Sequence, residues 1–220
     1  MRALWVIAIL LSTIGSIGEG WAEDALGTRP LLTIARKDLP TILPPDCHIL
    51  IDPRSIEELL DTLDGRPPNW DVVYGRGHHE PGLDERLFTL NRERDAKRAG
   101  KEALQWMVVF LWSGELSHYN PTAGGFGLAI GPVFTPTRWG VVRFKLEEIP
   151  SNLVAIPGPD TRDVLLRQLS AGRNINVDIA LMGRLIPEES LVYDFSHDEE
   201  GVGIIMPVVR IERVEYLLHR

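Results

Sequence analysis

The chain has 220 residues, 44% of them hydrophobic and 25% charged, with a formal net charge of −8 and a single cysteine. Such apolar content excludes a wholly disordered chain, and the absence of heptads excludes a long coiled coil. A chain of this length buries roughly 70% of its unfolded surface, so it needs no disulfide framework.

Residues 1–22 have the form of a secretory leader. Arg2 supplies the positive start, residues 3–11 are an unbroken apolar run, and Gly20 and Ala22 set small residues at −3 and −1 of a cut after Ala22. The run is too short to read as a membrane span, which needs about 20 apolar residues. Removing the leader takes away Arg2 and Glu19 and leaves the net charge unchanged. Export with one Cys points to a bacterial periplasm, or to secretion, in a chain without internal disulfides. Cys47 heads an apolar run and reads as a structural thiol. An acidic exported chain is a poor match for nucleic acid, and nothing after the leader predicts a stable membrane span.

Residues 23–103 predict a helical and irregular region, and residues 104–220 a β-barrel-like domain. In the first region, residues 48–51 suggest a short strand. Asp52 and Pro53 start a helix that Gly65 ends, with Ile56, Leu59, Leu60 and Leu63 on one face. Residues 70–74 read as a second strand, residues 75–82 as a loop, and residues 83–101 as a second helix. In that helix Leu83, Leu87 and Leu90 stack, and the rest is nearly all charged, reading as a solvated face.

In the second region, residues 105–112 predict a strand apolar on both faces, and residues 120–125 a turn into a strand over 126–130. Residues 141–146 alternate, with Val142, Phe144 and Leu146 inward and Arg143 and Lys145 outward. A helix capped by Asp160 and ended by Gly172 follows, carrying Val164, Leu165, Leu166 and Leu169. Residues 175–181 alternate strictly and lead to a bulge or bend at Gly183, and residues 208–218 close the sheet. Three strands, a helix and further strands predict an α+β protein whose C-terminal half is an OB-like five-stranded barrel or a small β-sandwich with one inserted helix.

No nucleotide loop, nucleophile elbow or cysteine zinc spacing is present, so no cofactor is predicted, with one exception. His78, His79 and Glu80 sit among glycines, and with His197 they make a candidate site for a divalent metal, in a carrier or a metal-dependent hydrolase. The leading expectation is a non-enzymatic interaction module of the envelope. Arg143 and Lys145 on one strand, with Arg210 and Arg213 on another, would face another envelope protein or an acidic envelope component. An exposed apolar patch beside them would support that reading.

Overall fold

The computed structural model describes residues 27–75, 81–196 and 202–219. The proposed leader therefore lies outside the described residues, as do His78, His79, Glu80 and His197. In chain order the strands are β1 (Thr28–Ile34), β2 (His48–Ile49), β3 (Met107–Asn120), β4 (Gly125–Gly131), β5 (Thr135–Thr137) and β6 (Gly140–Val142). They continue as β7 (Lys145–Glu147), β8 (Val154–Ile156), β9 (Asn176–Leu185), β10 (Leu191–Phe195) and β11 (Gly203–His219). The helices are α1 (Leu39–Ile42), α2 (Pro53–Asp64), α3 (Trp70–Tyr74), α4 (Leu83–Arg98) and α5 (Pro159–Ser170).

The fold is α+β, built on a closed mixed barrel in the order β1–β8–β4–β3–β9–β11, with β11 returning to β1. It has six staves rather than five, and the closed ring replaces the sandwich alternative. The sixth stave, β1, comes from the region expected to be helical or irregular. It runs parallel to both neighbours, meeting β8 through Thr28–Pro30 and β11 through Leu31–Ile34. Pro30 lies where β11 has not yet joined, so its missing N–H breaks no ladder on that side. Two bonds tie β1 in place. Tyr216 Oη donates to Gly27 O at 2.6 Å, and Arg29 reaches the buried Glu215 carboxylate at 3.1 Å.

The barrel is filled by the inward residues of the staves, among them Phe110, Phe126, Ile179, Leu181, Val209, Val214 and Tyr216, all at most 1% exposed. Outside it, α1 lays Leu39 and Leu43 over Val109, Ala180, Met182 and Leu217. The strand irregularity sits in β11 rather than at Gly183, because the register shifts between Ile211 and Arg213, opposite Gly183 and Met182. Gly183 is needed for approach: a Cβ there would stand 2.0 Å from Arg210 O.

The first part of β11 extends beyond the barrel and pairs with β10 and β6, and α2, α3 and α4 cover this end. Asp52 caps α2 by accepting from Arg54 N and Ser55 N, and the four apolar positions of its face are at most 2% exposed. Residues 70–74 form a helix, not a strand. Asn69 Oδ1 accepts from Val72 N at 3.3 Å, and Gly75 stops the turn at φ 62°. In α5 the cap position belongs to Gly158, and Asp160 falls in the first turn with no capping bond.

Helix α4 is not simply a solvated charged face. Arg98 is 1% exposed, and Arg94 folds inward beside it. Asp64 Oδ2 receives Arg98 Nη1 at 2.7 Å, Arg94 Nη1 at 3.1 Å and Tyr193 Oη at 2.5 Å. Arg98 also pairs with Asp95 and donates to Leu191 O. Arg94 lies over the rings of Tyr193 and the fully buried Trp139. These contacts bind α2 and α4 to β10 and to the β5–β6 turn.

Candidate functional site

The 141–146 alternation is borne out in its directions, though the segment is split between β6 and β7. Val142 and Phe144 are buried, and Phe144 stacks on Phe110 with ring centroids 4.1 Å apart. Arg143 between them must therefore point outward, and its backbone N–H donates to Ile205 O at 3.0 Å. The β4–β5 connection passes above it and leaves Val133 38% and Phe134 52% exposed. The Arg143 guanidinium lies 5.9 Å from the centre of the Phe134 ring, within cation–π range.

Arg143 has no carboxylate partner among the described residues, and its Nε is shielded from solvent without an acceptor. A half-buried guanidinium in that state has lost water contacts and gained no anion for them. On the other side of the β4–β5 connection a cavity of about 260 Å³ is lined by Leu50 and Ile51, the edge of β3, Val133, Thr135, Phe144 and Asp178. β2 ends its pairing with β3 at Val109 and β4 begins at Ser113, which leaves this stretch of the β3 edge without a strand partner among the described residues. Trp112 lines the cavity, and its indole N–H is buried without an acceptor. The volume falls below the roughly 300–1,000 Å³ of small-molecule pockets, a size suited to one inserted side chain.

The other three basic residues are engaged. Lys145 pairs with Glu147 at 3.3 Å and Glu189 at 3.4 Å. Burial lowers its pKa, but these two carboxylates outweigh burial and leave the ammonium above its ordinary value. Arg210 pairs with Glu148 at 3.2 Å, and Arg213 grips Glu215 at 2.7 Å. Phe134 carries no signal in the strand pattern, since it follows Gly131 and Pro132 in a connection. A lone aromatic in such a loop is the only mark it leaves in the sequence.

The candidate metal residues lie outside the described residues, but the chain on either side is described. Tyr74 Oη accepts from Ser196 N at 3.2 Å and donates to Val202 O, bridging the end of α3 to the β10–β11 connection. Arg86 Nε donates to Val73 O at 2.8 Å and Nη2 to Tyr74 O at 3.3 Å, holding the same helix end. Burial raises the Tyr74 phenol above its ordinary pKa. Among the described residues no group of three or more His, Cys, Asp or Glu is placed to hold a metal.

Cys47 is half-buried against the outer cluster, and burial pushes its thiol up, away from nucleophile character. His118 reaches Ser117 Oγ at 3.5 Å. An open groove of about 470 Å³ runs between α3 and α4 over Val72, Val73 and Leu90. Among the described residues no helix is long and apolar enough to cross a membrane. The fold defines a closed α+β barrel protein, and its surface sets the exposed Phe134 beside Arg143. Comparison with protein-family models, curated proteins and solved structures finds no match to this chain.

Proposed function

We propose that this chain is an exported, non-enzymatic binding module of the bacterial cell envelope, and that it meets an acidic partner through Phe134 and Arg143. One observation carries the reading: an exposed aromatic, with an exposed valine before it, lies against a half-buried guanidinium that has no carboxylate partner among the described residues. An aspartate or glutamate supplied by a partner removes that deficit. A side chain of the partner enters the cavity of about 260 Å³ that Val133 and Thr135, the neighbours of Phe134, help to line. Lys145, Arg210 and Arg213 frame the face and hold its strands, since their charges are already matched. The stave order also supports an OB-like reading of the barrel, with β1 let in between β8 and β11 and α5 between β8 and β9. That likeness is architectural and brings no ligand with it.

The test is a photo-crosslinking amino acid placed at position 134 in the producing cell, with position 167 on the exposed side of α5 as control. A discrete adduct from position 134 that disappears with Arg143→Glu supports the face. Equal adducts from both positions, or none, overturn it. Fractionation of the same cells, with the mass of the exported chain, tests release after Ala22.

The second reading is a divalent-metal site on His78, His79, Glu80 and His197. What supports it is the anchor at Tyr74, one residue before Gly75, which bonds to Ser196, one residue before His197. The two candidate stretches thus start from neighbouring points. Zinc, copper, nickel or calcium at a hundredfold excess over its dissociation constant adds about 2.7 kcal/mol to the native state, a rise of several degrees in Tm. A rise abolished by His78→Ala with His79→Ala supports the site, and no rise with any of the four ions removes it.

A further inference from the structure

Helix α4 buries Leu83, Leu87 and Arg98 on one side, and its opposite side is turned to solvent. On that side Phe88 is 65% exposed, a large apolar surface with Arg92 over it, 6.0 Å from the ring centre. One turn before Phe88 stand Asp84 and Glu85, and one turn after it stands Arg92, all exposed. None of these three charges has an ion-pair partner among the described residues. Elsewhere on the same helix Arg94 and Arg98 are paired with carboxylates inside. The outward row is therefore acidic, then aromatic, then basic, over about 12 Å of helix from residue 84 to 92.

We propose that this row is an association surface for a second copy of the chain, with two α4 helices packed antiparallel about a two-fold axis close to Phe88. The row is complementary to itself when reversed. A two-fold axis there sets Asp84 and Glu85 of one copy against the partner's Arg92, twice over, and brings the two Phe88 rings together. This is the isologous arrangement in which one patch serves both sides. A partner segment of uniform charge meets a like charge at one end of the row, which is why an antiparallel copy suits it better than a purely basic or purely acidic helix. Val72, 64% exposed on the neighbouring α3, adds apolar surface near the same helix. The contact is small, and exposed ion pairs are modest and salt-screened. The dimer is accordingly weak, concentration-dependent and favoured at low ionic strength.

Sedimentation velocity on the full chain from micromolar to near-millimolar concentration is the test. The expected result is a mass that climbs from one chain toward two as concentration rises, and less steeply in high salt. Phe88→Glu holds it at one chain. Asp84→Arg with Glu85→Arg, and Arg92→Glu, are each monomeric alone, whereas a mixture of the two variants associates. Phe88 and Arg92 are exposed, so Phe88→Glu and Arg92→Glu keep the wild-type Tm. Asp84→Arg with Glu85→Arg instead sets positive charge in the first turn of α4 and lowers Tm modestly without unfolding the chain. A monomer at every concentration overturns the proposal and leaves the row to a different protein with the same order of charges. A dimer that survives Phe88→Glu, or a mixture that stays monomeric, also overturns it.

Discussion

Tyr193 Oη donates to Asp64 Oδ2 at 2.5 Å, at the point where β10 meets α2. The same oxygen receives both Arg94 and Arg98, so one carboxylate joins two helices and a strand. Burial, reinforced by the Asp64 charge, drives the Tyr193 phenol far above its ordinary pKa, so the tyrosine stays a donor at any working pH. Removing one member of a buried pair leaves the other charge without compensation, typically about 3–5 kcal/mol. Asp64→Ala should cost about 3 kcal/mol, the low end, because Asp95 still pairs with Arg98. Tyr193→Phe removes two bonds to charged groups, the donation to Asp64 Oδ2 and the acceptance from Arg94 Nη1 at 3.1 Å. Both charges keep each other, so the change should cost about 1.5–3 kcal/mol. Urea unfolding of both variants checks the order, and a Tyr193→Phe cost above that of Asp64→Ala contradicts it.

Trp70 and Gly203 make the tightest approach at this end of the molecule. A Cβ at Gly203 would fall 1.9 Å from the indole ring, while Trp70 Nε1 donates to Trp139 O at 2.6 Å and has little freedom to move. Gly203→Ala therefore overpacks and should cost about 1–3 kcal/mol. In Trp70→Ala the clash is gone, so adding Gly203→Ala to that variant should cost almost nothing. A double-mutant cycle on Tm or denaturant midpoint measures this coupling. Additive costs would mean that the ring is free to shift.

Elements that carry their own pattern were legible in the chain. β9 shows strict alternation, β11 mixes apolar and charged positions, and α2 has its Asp52–Pro53 start, its apolar face and its Gly65 stop. β1 was not legible, because Thr28–Ile34 contains Pro30 and no clear alternation, and it becomes a stave only through β8 and β11. Residues 70–74 misled because two adjacent valines suggest a strand, whereas the Asn69 cap and Gly75 decide for a helix. At the candidate face the direction of Arg143 followed from its buried neighbours Val142 and Phe144. Its lack of a carboxylate partner among the described residues did not. Matching Lys145 with Glu189, or Arg213 with Glu215, depends on which strands come together, and that is a property of the whole barrel.

Asp52 offers a pH-dependent test of local structure. Bonds from Ser55 backbone and side chain, and from Arg54 N–H, hold its carboxyl below the ordinary value of 3.8. A folded-state pKa below the unfolded one contributes stability above the unfolded value and loses it as pH falls through the folded value. Asp52→Ala should cost about 1 kcal/mol near neutrality, as lost N-caps do. The difference between wild type and variant should shrink once the pH drops below 3.8. Stability curves of the two proteins from pH 7 downward check the sign, and a gap that widens on acidification contradicts it.

Arg143 and Arg213 provide the contrast that separates contact from architecture. Arg213, together with Arg29, neutralises the Glu215 carboxylate, which is 5% exposed. Arg213→Ala leaves that buried charge to Arg29 alone and should destabilise by about 1–3 kcal/mol. Arg143 neutralises no carboxylate among the described residues, and its shielded Nε lacks an acceptor there. Removing it takes away an unmet polar atom along with some packing on Phe134, so Arg143→Ala should stay within about 0.5 kcal/mol of wild type or gain slightly. The same substitution should abolish the adduct formed from position 134. If Arg143→Ala instead unfolds as readily as Arg213→Ala, the guanidinium serves the fold, and its place in a contact face has to be given up.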